Sequence, residues 1–276
     1  MKYFYAGNLN LAENRREQNG QEYYVRGACK YGGRYFERYA IKTPFIEKGS
    51  DVAETVKTCV LPVYREGDIL AVTEKVISLW EGRVLDYEDR KPRKLAVFLA
   101  RFMKRTVLDW DPALKMEAFI ETAGTARVLF AAVCGMVGKV FGRSGWMYRI
   151  LGREAAGMDG LYTGSHVAYY RKHAILIPKE AEKRMQIIED RTGCPCFVSD
   201  TNDASVNLYA FSDKAATWDR ELLKKVMEDN PCGQDDELTP FILIREVAES
   251  EISPYVAPKE ISKEDFLRLT DRGKCD

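Results

Sequence analysis

The chain has 276 residues, and its 42 basic side chains balance its 42 acidic ones, so the formal net charge is zero at pH 7. Proteins that bind nucleic acid by neutralising phosphates show an excess of basic residues, so no nucleic-acid partner is expected. The hydrophobic content of 46% is typical of a folded globular protein and excludes a disordered chain.

The sequence also bears on membranes and location. The first residues, Met1 to Tyr5, lead directly into polar residues and lack the apolar core of a signal peptide. The longest apolar stretch, 128–138, would cover only about 16 Å as a helix, roughly half of a bilayer core. We therefore expect a cytoplasmic protein with no membrane partner, in which 128–138 is a buried helix. A membrane-associated protein that uses 116–141 is the alternative.

The seven cysteines are an odd number, and with no export signal we expect reduced thiols. Cys194 and Cys196 are separated by one proline, which is closer than the usual spacing of zinc ligands. The two histidines, His166 and His173, lie in a stretch rich in Tyr, Arg and Lys. A hydrogen-bonded or solvated histidine is therefore expected, and a zinc site is the alternative.

In the N-terminal part of the chain, stretches rich in β-forming residues alternate with stretches of helical periodicity. The first two predicted elements are a hairpin over 22–41 and a short helix over 51–59 with Ser50 or Asp51 as N-cap. They are followed by a buried strand over 69–78, with Gly82 as the stop signal after it, and by a helix over 94–107. The last of these has Leu and Phe at spacings of three and four, with Lys and Arg on the other face. We expect that basic face to be solvated, and binding of an anionic ligand is the alternative.

The rest of the chain begins with a long apolar helical region and continues with alternating strands and helices. The predicted elements are helices over 116–141 and 146–154, a strand over 174–177, a helix over 179–192 with Gly193 as C-cap, strands over 196–199 and 206–211, a helix over 222–227, a strand over 240–245, and a short helix near 262–271 in a charged tail.

Familiar catalytic signatures are absent from the sequence. It contains no G-x-x-x-x-G-K-[ST] phosphate loop, no G-x-G-x-x-G after a strand and no G-x-S-x-G elbow. Because the chain has only two histidines, acid–base chemistry would fall to carboxylates, lysine or a metal-bound water.

Acidic loops are the remaining candidates. Asp200 follows the predicted strand 196–199, and ligands of α/β sheets collect outside the carboxyl ends of strands. Together with Thr201 and Asn202 it offers the oxygen ligands that Mg²⁺ or Mn²⁺ prefers, although an ordinary Asx-turn is the alternative. The acidic loop 233–237 has a solvated loop as its alternative, and Asp159 has a tight glycine-flanked turn.

Five motifs, taken in order, resemble the coenzyme F-420-0:L-glutamate ligase family. They are AIKTPFIEKGSD (40–51), EGDILAVTEKVIS with EGRV (66–78 and 81–84), AGMD (156–159), SDTN (199–202), and the segment from Gly233-Gln234 to ILIR (242–245). The order and the approximate spacing match over about residues 40–245, which is most of the chain.

The resemblance implies an α+β fold with a mixed sheet and a helical insertion, in a protein that forms homodimers. The implied division is an N-terminal α/β part of the ligase-like domain (1–115), a helical segment (116–157), a C-terminal α/β part of that domain (158–245) and a tail (246–276).

The resemblance also implies a ligase that uses GTP, or ATP, and Mg²⁺ or Mn²⁺. Such an enzyme joins a glutamate-like amino acid to a small-molecule carboxylate through an acyl phosphate. The implied metal ligands are Asp159, Asp200 and Gln234. The implied nucleotide-binding residues are Lys75, Ser78, Arg83, Thr201 and Asn202.

Two departures from the family pattern remove positive charge. The loop 78–83 reads SLWEGR and lacks the lysine that the family has there, and residues 203–207, DASVN, supply no cation after Asn202. Such cations would neutralise phosphate groups. The departures indicate a divergent branch. The alternative is a non-catalytic small-molecule-binding or scaffold protein that kept the fold and lost these cations.

Overall fold

The computed structural model describes residues 9–102, 110–143, 145–163, 167–202, 205–233 and 235–258. They divide into two compact units. One, the sheet unit, contains the described residues up to Gly82 and from Pro178 onward. The other, the helical unit, contains the described residues from Arg83 to Ile177 and so includes the predicted helical segment together with residues on both sides of it.

The strands described, in chain order, are β1 (Arg15–Gln18), β2 (Gln21–Tyr31), β3 (Arg34–Ile41), β4 (Ile69–Thr73), β5 (Val84–Asp86), β6 (Asp159–Gly160), β7 (His173–Ile175), β8 (Cys196–Asn202), β9 (Ser205–Phe211) and β10 (Phe241–Val247). Together with the helices they confirm the predicted α+β fold.

The α-helices described are α1 (Val52–Thr55), α2 (Glu74–Trp80), α3 (Lys94–Ala100), α4 (Pro112–Ala123), α5 (Thr125–Val140), α6 (Trp146–Leu151), α7 (Arg153–Ala156), α8 (Tyr169–Lys172), α9 (Ala181–Thr192) and α10 (Arg220–Met227). A π-helical turn, Val56–Val60, continues α1. Short 3-10 turns lie at Ala12–Asn14, Ala215–Thr217, Asp235–Glu237 and Glu249–Glu251. None of the described helices is long and apolar enough to cross a membrane.

The sheet unit is built on a seven-stranded mixed sheet with the order β1-β2-β3-β10-β4-β8-β9. Its one parallel pair is β4 with β8, in register from Leu70 opposite Cys196 to Thr73 opposite Ser199. Because β10 runs antiparallel to both β3 and β4, the end of β3, the start of β10 and the ends of β4 and β8 meet at one edge of the sheet. We call this edge the carboxyl edge.

The helical unit has a three-stranded sheet, β5-β7-β6, and a core of apolar side chains. The helix α4 is central, because all of its residues from Leu114 to Ile120 are buried. Asp111 caps α4, accepting hydrogen bonds from the backbone N–H groups of Ala113 and Leu114, both at 2.9 Å. Helices α3 and α5 both contact α4.

Several predicted elements are confirmed within a few residues. The hairpin over 22–41 is β2 and β3 with its turn at Gly32-Gly33, and Asp51 is the N-cap of α1. Gly193 ends α9 with a φ of 74°. The predicted helix over 116–141 is divided into α4 and α5 at Gly124, where φ is 84°. The helix near 262–271 and the end of the helix over 94–107 lie outside the described residues.

Two predictions were wrong. The strand over 69–78 ends at Thr73, and Glu74 to Trp80 form α2; a short apolar run fits a buried strand and a buried helix equally well, so periodicity could not separate them. The stretch 128–138 is not buried as a whole. Val128, Ala131 and Gly138 are buried, whereas five larger apolar side chains between them are exposed: Leu129, Phe130, Val133, Met136 and Val137.

Candidate functional site

Asp200 lies within a strand at the carboxyl edge. Strand β8 pairs with β4 only as far as Ser199, so Asp200, Thr201 and Asn202 extend beyond β4 and pair with β9 alone. Asp200 is opposite Asn207 in this hairpin, which makes the Asx-turn alternative wrong. Asp200 therefore lies just beyond the parallel pairing of β8 with β4, as predicted. It does not follow the strand, however, because β8 continues to Asn202.

The pleat of β8 divides the residues of this motif between two faces. Neighbouring residues of a strand point to opposite sides, so Asp200 faces away from Ser199 and Thr201. The hydroxyl groups of Ser199 and Thr201 are hydrogen-bonded to each other at 2.6 Å. Asp200 is exposed, and Ser199 is buried. The motif therefore presents its carboxylate alone on one face and its two hydroxyls on the other.

A second carboxylate lies on the same face as Asp200. Residues directly opposite in an antiparallel pair share a face, and so do residues two apart in a strand, so Tyr209, which is opposite Val198, shares the face of Asp200. The Tyr209 hydroxyl donates a hydrogen bond to Oε2 of Glu74, the first residue of α2. The face thus carries Asp200, Tyr209 and Glu74. Glu74 was not among the predicted site residues because 69–78 were predicted to form a single strand.

Two further predicted residues of this region, Lys75 and Ser78, lie in α2. Lys75 follows Glu74 in the first turn of that helix and is half-buried. Ser78 is buried, with 1% of its surface exposed. The side chain of Asn202 lies outside the described structure, and its backbone is opposite Ser205.

The loop before β10 lies at the carboxyl edge as well. Its backbone accepts a hydrogen bond from Thr73 at Pro240 O (3.1 Å) and from Thr43 at Leu238 O (3.0 Å). Glu237, in this loop, is 2% exposed, so the solvated-loop alternative is wrong at that residue. Gln234 lies outside the described residues, and its predicted role as a metal ligand stays a prediction.

In the helical unit, Asp159 lies in β6. Its Oδ1 accepts a hydrogen bond from the backbone N–H of Gly160 at 2.8 Å and another from the hydroxyl of Tyr162. Gly160 has a φ of 78°, and a Cβ there would lie 2.1 Å from the carbonyl oxygen of His173. Only glycine fits that position, so the Asp-Gly pair is fixed by the approach of β6 to β7.

A buried lysine lies near Asp159. Lys115 in α4 is 1% exposed, and its Nζ donates a hydrogen bond to the carbonyl oxygen of Met158 at 2.5 Å and lies 4.4 Å from the centre of a Trp110 ring. Burial lowers the pKa of Lys115 to about 8, and the nearby Asp159 carboxylate partly opposes this shift. In the sequence, this site is indicated by a lysine between two apolar residues, Leu114 and Met116. Lys115 was not among the predicted site residues.

Arg83 has protein partners inside the helical unit. Its Nη2 donates to Oε1 of Glu154 at 2.8 Å, and its Nε donates to the carbonyl oxygen of Ile177 at 3.2 Å. Only 18% of the side chain is exposed. In this arrangement the guanidinium group of Arg83, the first residue of the unit, is bonded to Ile177 near the end of the same unit. The predicted role of Arg83 in phosphate binding stays a prediction.

The closely spaced pair Cys194 and Cys196 consists of buried thiols. The six cysteines in the described part of the chain are free. Burial raises the pKa of Cys196 to about 12 and the pKa of Cys194 well above its usual value, whereas zinc binds thiolates. His173 is hydrogen-bonded through Nδ1 to the carbonyl oxygen of Tyr169 at 2.7 Å, as one of the sequence alternatives predicted.

Among the described residues, no three or more His, Cys, Asp or Glu side chains form a group that could hold a metal ion. The two predicted aspartate ligands belong to different units, Asp200 to the sheet unit and Asp159 to the helical unit.

Comparison with known proteins identifies the family. A search of curated proteins gives no match. The family model described as F420-0:Gamma-glutamyl ligase matches residues 40–210, more than half of the chain. The matched range includes the SDTN and AGMD motifs and ends before the loop that contains Gln234. The chain belongs to the F420-0:gamma-glutamyl ligase family.

Proposed function

We propose that the protein is a metal- and nucleotide-dependent ligase that joins a glutamate-like amino acid to a small-molecule carboxylate. Family membership supports the ligase class. The observation that carries the rest is the presence of two carboxylates, Asp200 and Glu74, on one face of the sheet at the carboxyl edge. Ligands of sheets with parallel strands bind outside this kind of edge.

The carboxylates suit Mg²⁺ or Mn²⁺. Mg²⁺ keeps several water ligands and is usually bound by one or two carboxylates together with substrate phosphates, so a cage of three carboxylates is not required. Asp200 is exposed, and the hydrogen bond from Tyr209 fixes the orientation of Glu74. The two residues would hold the ion, which when bound would neutralise charge on the nucleotide phosphates.

In the proposed reaction, the terminal phosphoryl group of GTP or ATP is transferred to a carboxylate oxygen of the acceptor. The products of this step are an acyl phosphate and the nucleoside diphosphate. The neutral amine of the amino acid then attacks the acyl carbon, phosphate leaves, and the amine loses a proton as the amide forms. Lys75, next to Glu74 in α2, is the residue we propose to neutralise phosphate charge during transfer.

Asp159 is proposed as a further metal ligand on the basis of its motif. Its local surroundings differ from those of Asp200, because a buried ammonium group, Lys115, lies near it and would repel a divalent cation. We therefore expect Asp159 to contribute less to metal affinity than Asp200.

One observation favours the alternative of a non-catalytic binding or scaffold protein. Arg83, a predicted phosphate ligand, already has two protein partners, Glu154 and the carbonyl of Ile177. A phosphate group would have to compete with a carboxylate for the same guanidinium group.

Thermal and urea unfolding with Mn²⁺ or Mg²⁺ and GTP or ATP tests the proposal. A ligand present at about 100 times its Kd adds about 2.7 kcal/mol to the free energy of unfolding. We expect Asp200→Asn to fold and to lose most of this stabilisation, because it removes a negative charge and keeps the size of the side chain. Asp159→Asn should lose less. An additive effect in the double variant would indicate that the two residues do not share one ion.

The matched control is Asp213→Asn. Asp213 is an exposed aspartate that follows the other end of β9, so its replacement should leave the response to metal and nucleotide unchanged. If neither nucleotide stabilises the wild-type protein at millimolar metal, the ligase proposal fails in favour of the non-catalytic alternative. If Asp200→Asn responds as wild type does, the proposed site is wrong.

A further inference from the structure

The helix α5 exposes an apolar face. Its exposed members are Leu129, Phe130, Val133, Met136 and Val137, with exposed fractions between 40% and 62%. At 100° per residue they occupy one continuous arc of the helix. On the opposite side, Val128 and Ala131 are buried in the core of the helical unit, and Gly138 is buried beside Trp146. The apolar face is therefore directed away from that core.

A second helix of the same unit also exposes apolar residues. Val97 and Phe98 in α3, and Phe102 just after it, have exposed fractions between 41% and 53%. The rings of Phe98 and Phe102 contact each other edge to face, with centres 5.4 Å apart. Exposed single apolar residues are ordinary, but a group of exposed apolar residues on each of two helices marks a binding surface.

The helical unit that carries these faces is positively charged as a whole. Residues 83–177 contain 16 basic and 9 acidic side chains, although the whole chain is neutral. The stretch 122–153 contains five basic residues and no acidic one. Exposed basic residues of this unit that form no ion pair within the described structure include Lys94, Arg101, Arg127, Arg143 and Arg149.

We propose that the exposed faces of α3 and α5 bind the surface of an anionic lipid bilayer. Amphipathic helices with exposed Phe and Leu and with nearby Lys and Arg lie in the membrane interface, where anionic headgroups attract the basic side chains. The expectation of no membrane partner rested on the length needed to span a bilayer, and a helix that lies on the surface does not need that length. The proposal does not depend on the ligase activity.

The same charges argue against a second copy of the chain as the occupant. A twofold contact places the same surface patch of each copy against the other. The basic residues that flank α3 and α5 would then face identical basic residues, and this repulsion would oppose the contact. Anionic lipid provides the complementary charge.

Sedimentation of the full chain with vesicles tests the proposal. The vesicles contain either phosphatidylcholine alone or phosphatidylcholine mixed with phosphatidylglycerol, at low and at high salt. We expect at least about tenfold stronger partitioning onto the anionic vesicles, reduced by salt. The double variant Phe130→Ser/Val133→Ser should lower binding at least about tenfold while melting at the wild-type temperature, because both side chains are more than half exposed.

The matched control is Val256→Ser, which removes an exposed apolar side chain from the sheet unit and should leave binding unchanged. Three outcomes would overturn the proposal. They are no partitioning onto anionic vesicles, equal partitioning onto both kinds of vesicle, and wild-type binding by the double variant. A dimer in sedimentation velocity that the double variant converts to a monomer would instead assign the surface to a second copy.

Discussion

The two units differ in the partners of two buried cations and in how many large apolar side chains they expose. In the sheet unit, the buried Arg245 is paired with Asp68 through two hydrogen bonds, at 2.6 and 2.8 Å. In the helical unit, the buried Lys115 donates to a carbonyl oxygen, while Phe98 and Phe130 are exposed. The sheet unit also buries a cation, Arg26, that donates to carbonyl and amide oxygens, but its large exposed apolar side chains among the described residues are only Tyr255 and Val256. The many exposed apolar side chains of the helical unit are therefore what sets it apart. Such departures are expected where a protein has a function besides stability.

The largest effect is expected from breaking the buried ion pair of the sheet unit. Asp68→Ala leaves the Arg245 guanidinium group buried without its counter-charge, and such a loss typically costs about 3–5 kcal/mol. Urea unfolding measures it. Arg245→Met added to Asp68→Ala should recover part of the loss, because it removes the unpaired charge. If the single variant costs less than about 1 kcal/mol, the pair is not buried in solution as the structure has it.

The buried lysine of the helical unit should behave in the opposite way, and it provides a pH test. The pKa of Lys115 is lowered to about 8, compared with about 10.5 in an unfolded chain, so between these values the unfolded state binds more protons. Stability from this residue therefore rises with pH from about 8 to about 10.5, by roughly 3 kcal/mol at most. Below pH 8 the buried charge lowers stability.

Lys115→Met keeps the length of the side chain and removes the charge. Free energies of unfolding measured from pH 7 to pH 10.5 should show a difference between variant and wild type that favours the variant most at the low end of this range. Taking the difference cancels the titration of buried tyrosines and cysteines, which both proteins share. A difference that is constant over this range would mean that Lys115 is exposed to solvent.

Local sequence rules predicted turns and helix caps better than they distinguished a helix from a strand. The hairpin at Gly32-Gly33, the N-cap Asp51 and the C-cap Gly193 depend on local backbone chemistry, and the structure confirms them. The strand that was extended past Thr73 failed because an apolar run of that length does not distinguish a helix from a strand.

The candidate site could be predicted only in part. The position of Asp200 at the carboxyl end of a parallel strand follows from the motif and from the topology of such sheets. That Asp200 shares a face with Tyr209 follows from the register of β8 with β9. That Glu74 lies on this face follows from its contact with Tyr209, which is far from it in sequence. The neighbourhood of Lys115 and Asp159 is likewise a tertiary contact that no local pattern encodes.

The smallest effect is expected on the exposed face of α5, where the helix offers the same substitution on two faces. Val128 is fully buried, and Val133 is 54% exposed. Val128→Ala removes two buried carbons at about 0.8 kcal/mol each and leaves a cavity, so we expect a loss of about 2 kcal/mol. Val133→Ala should change stability by less than about 0.5 kcal/mol, because surface substitutions do so and alanine favours the helix. Urea unfolding at two protein concentrations tests whether another copy of the chain covers this face. If Val133→Ala costs as much as Val128→Ala, and only at the higher concentration, the face is covered by another copy of the chain, because only an interface between copies strengthens with concentration.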